Sequence, residues 1–205
     1  MRKVFLLAFF ISLFCFNVSF AQSRFDASLF AGLNMCQIDG DGVGRYNHPG
    51  LRAGVGTSFS LGSDIRSPWR MVVELAFTNK GSYIESYDRS LSASYIEIPL
   101  MLSYTALDDR LRLAAGVAPG VRVAAQVTNN GAEDRLATNN FTDFDWIPLT
   151  ASVRYRFSDH LGIEGRYQNS MLSITRQNGS GTYRIFYSNT GSFHNLVTVG
   201  LTYQF

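Results

Sequence analysis

The sequence predicts an all-β protein: an eight-stranded antiparallel up-and-down transmembrane β-barrel with long extracellular loops and short periplasmic turns. Three observations predict it. Apolar and polar residues alternate in eight segments, the connections between those segments alternate between long and short, and the chain opens on an export-type leader. Alternation with period two sends successive side chains to opposite faces of a strand. Backbone groups in hydrocarbon cannot bond water, so a sheet crosses a membrane only when closed and apolar outside.

The leader comes first. Arg2 and Lys3 precede an apolar run over 4–16, then the polar break at Asn17 and the small residues Ser19 and Ala21, the layout of a cleavable secretory signal. Residues 1–21 are expected to be removed, leaving 22–205 as one barrel domain. The run is shorter than the roughly 20 residues that a helical span needs. Phe14, before Cys15, is too bulky for a lipoprotein cleavage site.

The strands follow in order. Over 25–36, Phe25, Ala27, Leu29, Ala31, Leu33 and Met35 form an apolar face, and Phe30 is an exception on the polar one. Over 51–61, Leu51, Ala53, Val55, Phe59 and Leu61 oppose Arg52, Gly54, Gly56 and Ser58. Over 69–80, Trp69, Met71, Val73, Leu75 and Phe77 oppose Arg70, Glu74, Thr78 and Lys80. Over 95–104, Ile96, Ile98, Leu100, Leu102 and Tyr104 oppose Tyr95, Glu97, Met101 and Ser103.

The pattern continues in the second half. Leu111, Leu113, Ala115, Val117, Val121 and Val123 oppose Arg110, Arg112, Gly116, Gly120 and Arg122. Ile147, Leu149, Ala151, Val153, Tyr155 and Phe157 oppose Thr150, Ser152, Arg154 and Arg156. Leu161, Ile163, Tyr167 and Met171 oppose Gly162, Glu164, Arg166 and Gln168. The last segment, 194–205, sets Val197, Val199, Leu201, Tyr203 and Phe205 against Thr198, Gly200, Thr202 and Gln204. A chain that finishes on an aromatic residue, with a second aromatic two positions earlier, is expected to close the barrel. That strand is also expected to be the one that the barrel-assembly machinery reads.

The connections 39–50, 81–91, 126–145 and 177–193 are long and polar, whereas 62–68, 106–109 and 158–160 are short. Taken in strict turns, they read as surface loops and periplasmic turns. The outward positions carry no charge, and Phe25, Trp69, Tyr104, Tyr155, Phe157, Tyr203 and Phe205 fall at the expected periplasmic ends, where aromatic rings prefer the interface. Pro99, Pro119 and Pro148 each remove a ladder donor, so bulges or local distortions are expected there.

Charge narrows the partners. The whole chain holds 18 basic and 16 acidic residues; loss of the leader takes Arg2 and Lys3 and no acid, leaving 16 of each. A neutral mature protein lacks the basic surface that nucleic acid requires. Outer-membrane lipid is the expected surrounding. Only Cys36 survives processing, so no intramolecular disulfide holds the fold.

Between Trp69 and Val121 the chain resembles a known group. The strings ELAFTNKGS (74–82), SYIEIPLMLSY (94–104) and LAAGVAPGV (113–121) are similar to strand motifs of the PorT-like outer-membrane β-barrel family, and AGLNMCQIDGDG (31–42) to its opening strand and first loop. The resemblance implies a small barrel in the cell outer membrane. A type IX secretion role is attached to one member of the family and transfers only weakly.

Inside the barrel, Glu74, Glu97 and Glu164 are expected to meet Arg112, Arg154 and Arg166 as a paired lumen charge cluster, because small barrels have interiors just wide enough for side chains. The alternative is a charged channel. Asp39-Gly40-Asp41-Gly42 lacks the later acidic ligands of a calcium loop and reads as a surface turn. His48, His160 and His194 share no metal-ligand spacing with Cys36. No metal, cofactor or catalytic residue is expected. Ser170, the nearest candidate for a lipid-active nucleophile, has no histidine beside it in sequence. The expected function is therefore non-enzymatic: surface loops presented for an extracellular or envelope protein partner. Transport or secretion is the first alternative and lipid chemistry the second.

Overall fold

The computed structural model describes residues 25–40, 45–61, 67–175 and 191–205. The expected leader, Asp41 and Gly42 of the first loop, and most of the fourth loop lie outside the described residues. The strands are β1 (Phe25–Asp39), β2 (His48–Ser60), β3 (Trp69–Ile84), β4 (Arg89–Glu97), β5 (Leu100–Ala106), β6 (Leu111–Asn129), β7 (Ala132–Glu133), β8 (Phe144–Arg156), β9 (Leu161–Asn169) and β10 (Phe193–Gln204). A 3-10 turn, Glu85–Tyr87, joins β3 to β4, and a short helix α1 (Arg135–Asn139) precedes β8.

Antiparallel pairing runs from β1 through β2, β3, the β4–β5 pair, β6, β8 and β9 to β10, and β10 pairs back onto β1. β4 and β5 make one crossing, so the predicted ring of eight strands forms. Closure is extensive: β1 and β10 match from Ser28 opposite Gln204 to Asp39 opposite Phe193. No sheet edge is left in the membrane, as the absence of water there requires. Among the described residues no helix is long and apolar enough to cross a membrane.

The outward face follows the alternation. Leu33, Leu51, Val55, Leu75, Leu113, Val153, Ile163, Val199 and Leu201 are each exposed, whereas their neighbours along each strand turn inward. Aromatic pairs line one end: Phe25 with Phe59, Trp69 with Tyr104, and Tyr203 with Phe205, with ring centroids 5.0–5.6 Å apart. The exceptional Phe30 is buried in the lumen. It lies over Gly54, where a Cβ would stand 2.6 Å from the Phe30 ring, and under the Arg52 guanidinium, 4.2 Å from its centroid.

The prolines distort the ladder unevenly. Pro99 separates β4 from β5, and the Pro119 carbonyl accepts the Ile98 N–H across the same interruption. On β8, Pro148 and Leu149 together face the single Val117, between the pairs Gly116–Thr150 and Ala118–Ile147. This bulge shifts the phase by one residue. Below it Leu149 and Val153 face out as expected, but above it Ile147 is fully buried rather than outward, and Asp145 enters the lumen. A second shift, where Ser94 and Tyr95 meet Ala124 and Arg122, skips Val123 and turns Val127 inward.

The long connections are shorter than expected, because the strands run on past the membrane. A tilted crossing needs about 9–11 residues, whereas β3 has 16 and β6 has 19. The expected loop 81–91 is mostly β-hairpin, and 126–145 holds the end of β6, β7, α1 and the start of β8. Asp134 caps α1 by accepting the Ala137 N–H at 3.0 Å. The inner faces of these extensions bury Ile38, Ile84, Leu91, Ala93 and Val127 together with Tyr95, and Phe141 and Ile174 pack onto them. This apolar cap fills the extracellular end.

Candidate functional site in the barrel lumen

The lumen is built from the inward positions, and three glutamates organise it. In the ladder, Glu74 stands opposite Gly56, Glu97 opposite Gly120 and Glu164 opposite Gly200. Glycine there leaves the carboxylates room to reach across the barrel. A Cβ at Gly56 or at Gly120 would sit 3.1 Å from the facing glutamate Cγ.

A middle layer joins strands on opposite sides. Arg52 on β2 binds Glu74 at 2.6 Å, and Arg166 on β9 reaches Glu74 at 2.9 Å and Glu164 at 2.9 Å. Arg154 donates to one Glu164 oxygen through Nε at 3.0 Å and Nη2 at 2.7 Å, and lies 3.6 Å from Glu74. β3 and β9 are diametrically opposed in the ring, so the Arg166–Glu74 pair spans the bore. Three guanidiniums here face two carboxylates.

The layer above reverses that imbalance. Lys80 Nζ sits between Glu97 and Asp145, the latter at 2.9 Å. Glu97 also accepts from Thr78 at 3.1 Å and Gln168 at 3.2 Å, and Asp145 accepts from the Ser170 hydroxyl. Lys80 lies 4.7 Å from the Tyr95 ring centroid, and Tyr95 packs edge-on against His194. Together the two layers hold four cations and four carboxylates. Buried charges survive only when paired and hydrogen-bonded, and here Lys80, Glu97 and Asp145 have no exposed side-chain surface at all.

A lower layer opens toward the aromatic end. Arg70 pairs with Asp26 at 2.7 Å, and Arg112 lies 3.7 Å from the same oxygen. Both guanidiniums also reach the Ser58 hydroxyl at 3.3 Å.

The expected cluster is thus divided. Glu74, Glu164, Arg154 and Arg166 come together in the middle layer, with Arg52 as an added member. Glu97 lies a layer higher and its partner is Lys80, not an arginine. Arg112 lies a layer lower, with Asp26 and Arg70, and makes no contact with the three glutamates. Heights in a tilted, staggered sheet depend on register, which counting along one strand does not supply. Asp145 was hidden in an expected loop; the alternation of Asp145 with Ile147 just before a bulge-forming proline was its only signal.

The other candidates fall as follows. Val197, Val199, Leu201, Tyr203 and Phe205 lie on the outer face of the closing strand β10 and its end. Cys36 is buried, with its thiol 3.8 Å from the Asn79 carbonyl. Ser170 is buried too: its hydroxyl donates to Asp145, its N–H donates to the His194 carbonyl, and the His194 ring faces Tyr95. The hydroxyl thus meets a carboxylate directly, with no imidazole between, at a position with no exposed surface. No grouping of His, Cys, Asp and Glu suited to a metal ion occurs among the described residues.

Solved outer-membrane proteins are similar to this chain. The attachment invasion locus protein Ail of Yersinia pestis aligns over 89% of this chain and 99% of its own, at 12% identity and a TM-score of 0.51; it has also been solved in complex with the heparin analogue sucrose octasulfate. Neisserial surface protein A aligns over 88% of this chain and 97% of its own, at 9% identity and a TM-score of 0.47. No match is found among curated proteins. The model of the outer membrane protein beta-barrel domain matches residues 20–176. The chain is a member of that family, an outer-membrane β-barrel protein.

Proposed function

We propose that the protein is a non-enzymatic, non-conducting outer-membrane barrel that presents its extracellular rim to a protein or envelope partner. The observation that carries this reading is the double closure of the bore, by cross-lumen ion pairs and by the apolar cap above them. A barrel so filled invests its structure in holding the rim still. Tyr46 donates to Asn195 at 2.9 Å, Tyr83 donates to Asp88 at 2.9 Å, and Asn47 bonds the Tyr83 backbone, while Leu136 on α1 is 86% exposed. Braced aromatic rings and an exposed leucine on one rim suit protein contact, since anchors that are already ordered lose little entropy on binding.

The test combines two measurements. Purified protein in a planar bilayer should show no stable conductance, and a photo-crosslinker at Leu136 in intact cells should trap a discrete partner where one at Leu107, in a periplasmic turn, does not. Stable channels, or identical products from both positions, would overturn the reading. The PorT-like strings favour secretion as the second reading, and loss of secreted cargo on deletion of the protein would support it. Export through removal of residues 1–21 and assembly through the β10 strand belong to the same proposal. N-terminal sequencing should begin at Gln22.

A further inference from the structure

The charge balance of the lumen is uneven along its axis. The two upper layers are neutral, with Arg52, Arg154, Arg166 and Lys80 against Glu74, Glu164, Glu97 and Asp145. Below them, at the periplasmic mouth, three inward arginines face one carboxylate. Asp26 takes Arg70 at 2.7 Å and leaves Arg112 at 3.7 Å. Arg156, the next inward position on β8 after Arg154, makes no ion pair among the described residues. Asp108 and Asp159 occupy exposed turns, and Asp109, in the turn before β6, is exposed too but close enough to act on Arg112.

These arginines are not ordinary surface charges. The side chains of Arg70 and Arg112 are only 12% and 11% exposed, so water solvates their surplus charge poorly. Beside them is a second irregularity. Thr105, paired in register with Arg112, is 7% exposed, and its hydroxyl is buried without a hydrogen-bond partner. A buried hydroxyl left unpaired costs about 1–3 kcal/mol. An unsatisfied donor next to under-neutralised guanidiniums is the environment of an oxyanion: guanidinium forks match tetrahedral oxygens in charge and geometry.

We propose that the periplasmic mouth binds a phosphate group, held by Arg112, Arg156 and Arg70 with the Thr105 hydroxyl as a further donor. Surplus positive charge suits a phosphate group, whether a monoester that carries about −1.5 to −2 near neutral pH or the less charged phosphodiester of a headgroup. Its source is either free phosphate in the periplasm or the headgroup of a phospholipid in the adjoining leaflet.

The experiment uses the folded full-length barrel, with folding of every variant checked by its mobility shift between unheated and boiled samples. In a neutral sugar detergent free of phosphate, inorganic phosphate is titrated calorimetrically against chloride at matched ionic strength. In phospholipid nanodiscs without added phosphate, phosphorus NMR looks for one immobilised resonance per barrel. Binding in the first arm assigns free phosphate; an immobilised resonance in the second assigns the headgroup. In whichever arm responds, Arg156→Gln and Arg112→Gln should each weaken binding by about tenfold or more, the loss of one charged hydrogen bond. Thr105→Val should weaken it less, and Arg135→Gln, 86% exposed on α1 at the extracellular end, should leave it unchanged. Arg156→Gln removes no ion pair, so it remains informative if Arg112→Gln fails to fold. No saturable signal in either arm, or equal binding by Arg156→Gln and wild type, would overturn the proposal.

Discussion

Replacing Glu74 with alanine tests whether the middle layer holds the barrel together. The carboxylate binds Arg52 at 2.6 Å and Arg166 at 2.9 Å and lies 3.6 Å from Arg154, with no exposed surface of its own. Its removal leaves three guanidiniums sharing Glu164, to which Arg52 comes no closer than 3.9 Å. Arg52 is 2% exposed and its Nε already lacks a partner, so it has little water to fall back on. Breaking a buried pair from one side costs about 3–5 kcal/mol. Urea unfolding in phospholipid vesicles, followed by tryptophan fluorescence, should show Glu74→Ala destabilised by about that amount. Glu74→Met with Arg52→Met should recover most of the loss, because removing both partners of a buried pair is often close to neutral. A single mutant within about 1 kcal/mol of wild type, or a double mutant worse than the single, would refute the reasoning, since surface ion pairs are worth no more than that.

Further outcomes follow from other layers. Leu201→Arg should impair assembly by about 2–4 kcal/mol, because Leu201 faces lipid at 59% exposure, whereas Thr202→Arg, inward and near the periplasmic end, should assemble better; a gel-shift assay of folding into vesicles compares them. Gly54→Ala should cost about 1–3 kcal/mol, since its Cβ would meet the Phe30 ring at 2.6 Å and the Leu75 carbonyl, and the same urea titration reads the loss. Phe141→Ala should loosen the extracellular cap, with about 3 kcal/mol lost locally, seen as faster protease cleavage between β6 and β8 while the membrane-embedded ladder keeps its heat-dependent gel shift.

Much of this barrel was legible along the chain. Side-chain direction in a strand is a local property with period two, so the eight crossings, the lipid face and the closing strand follow from alternation alone. That Glu74, Glu97 and Glu164 point inward is equally local. Which charges meet is not. Arg166 and Glu74 are 92 positions apart and touch only because β9 and β3 face each other across a closed ring. Arg112 and Glu97 miss each other because stagger sets them at different heights.

The extracellular half was harder still. Gly, Asp and Ser between 81 and 91 resemble loop composition, yet a hairpin above the membrane needs no apolar outer face, so its strands lose the signal that marks them below. Two bulges then reverse the phase of β6 and β8, and a single extra residue sends every side chain beyond it to the other face. Val127, Asp145 and Ile147 enter the lumen for that reason. The sequence by itself determined the class of the fold and the inside and outside of its membrane span; register, stagger and two bulges, which exist only once strands pair, decided where the bore is sealed and where its charge is left over.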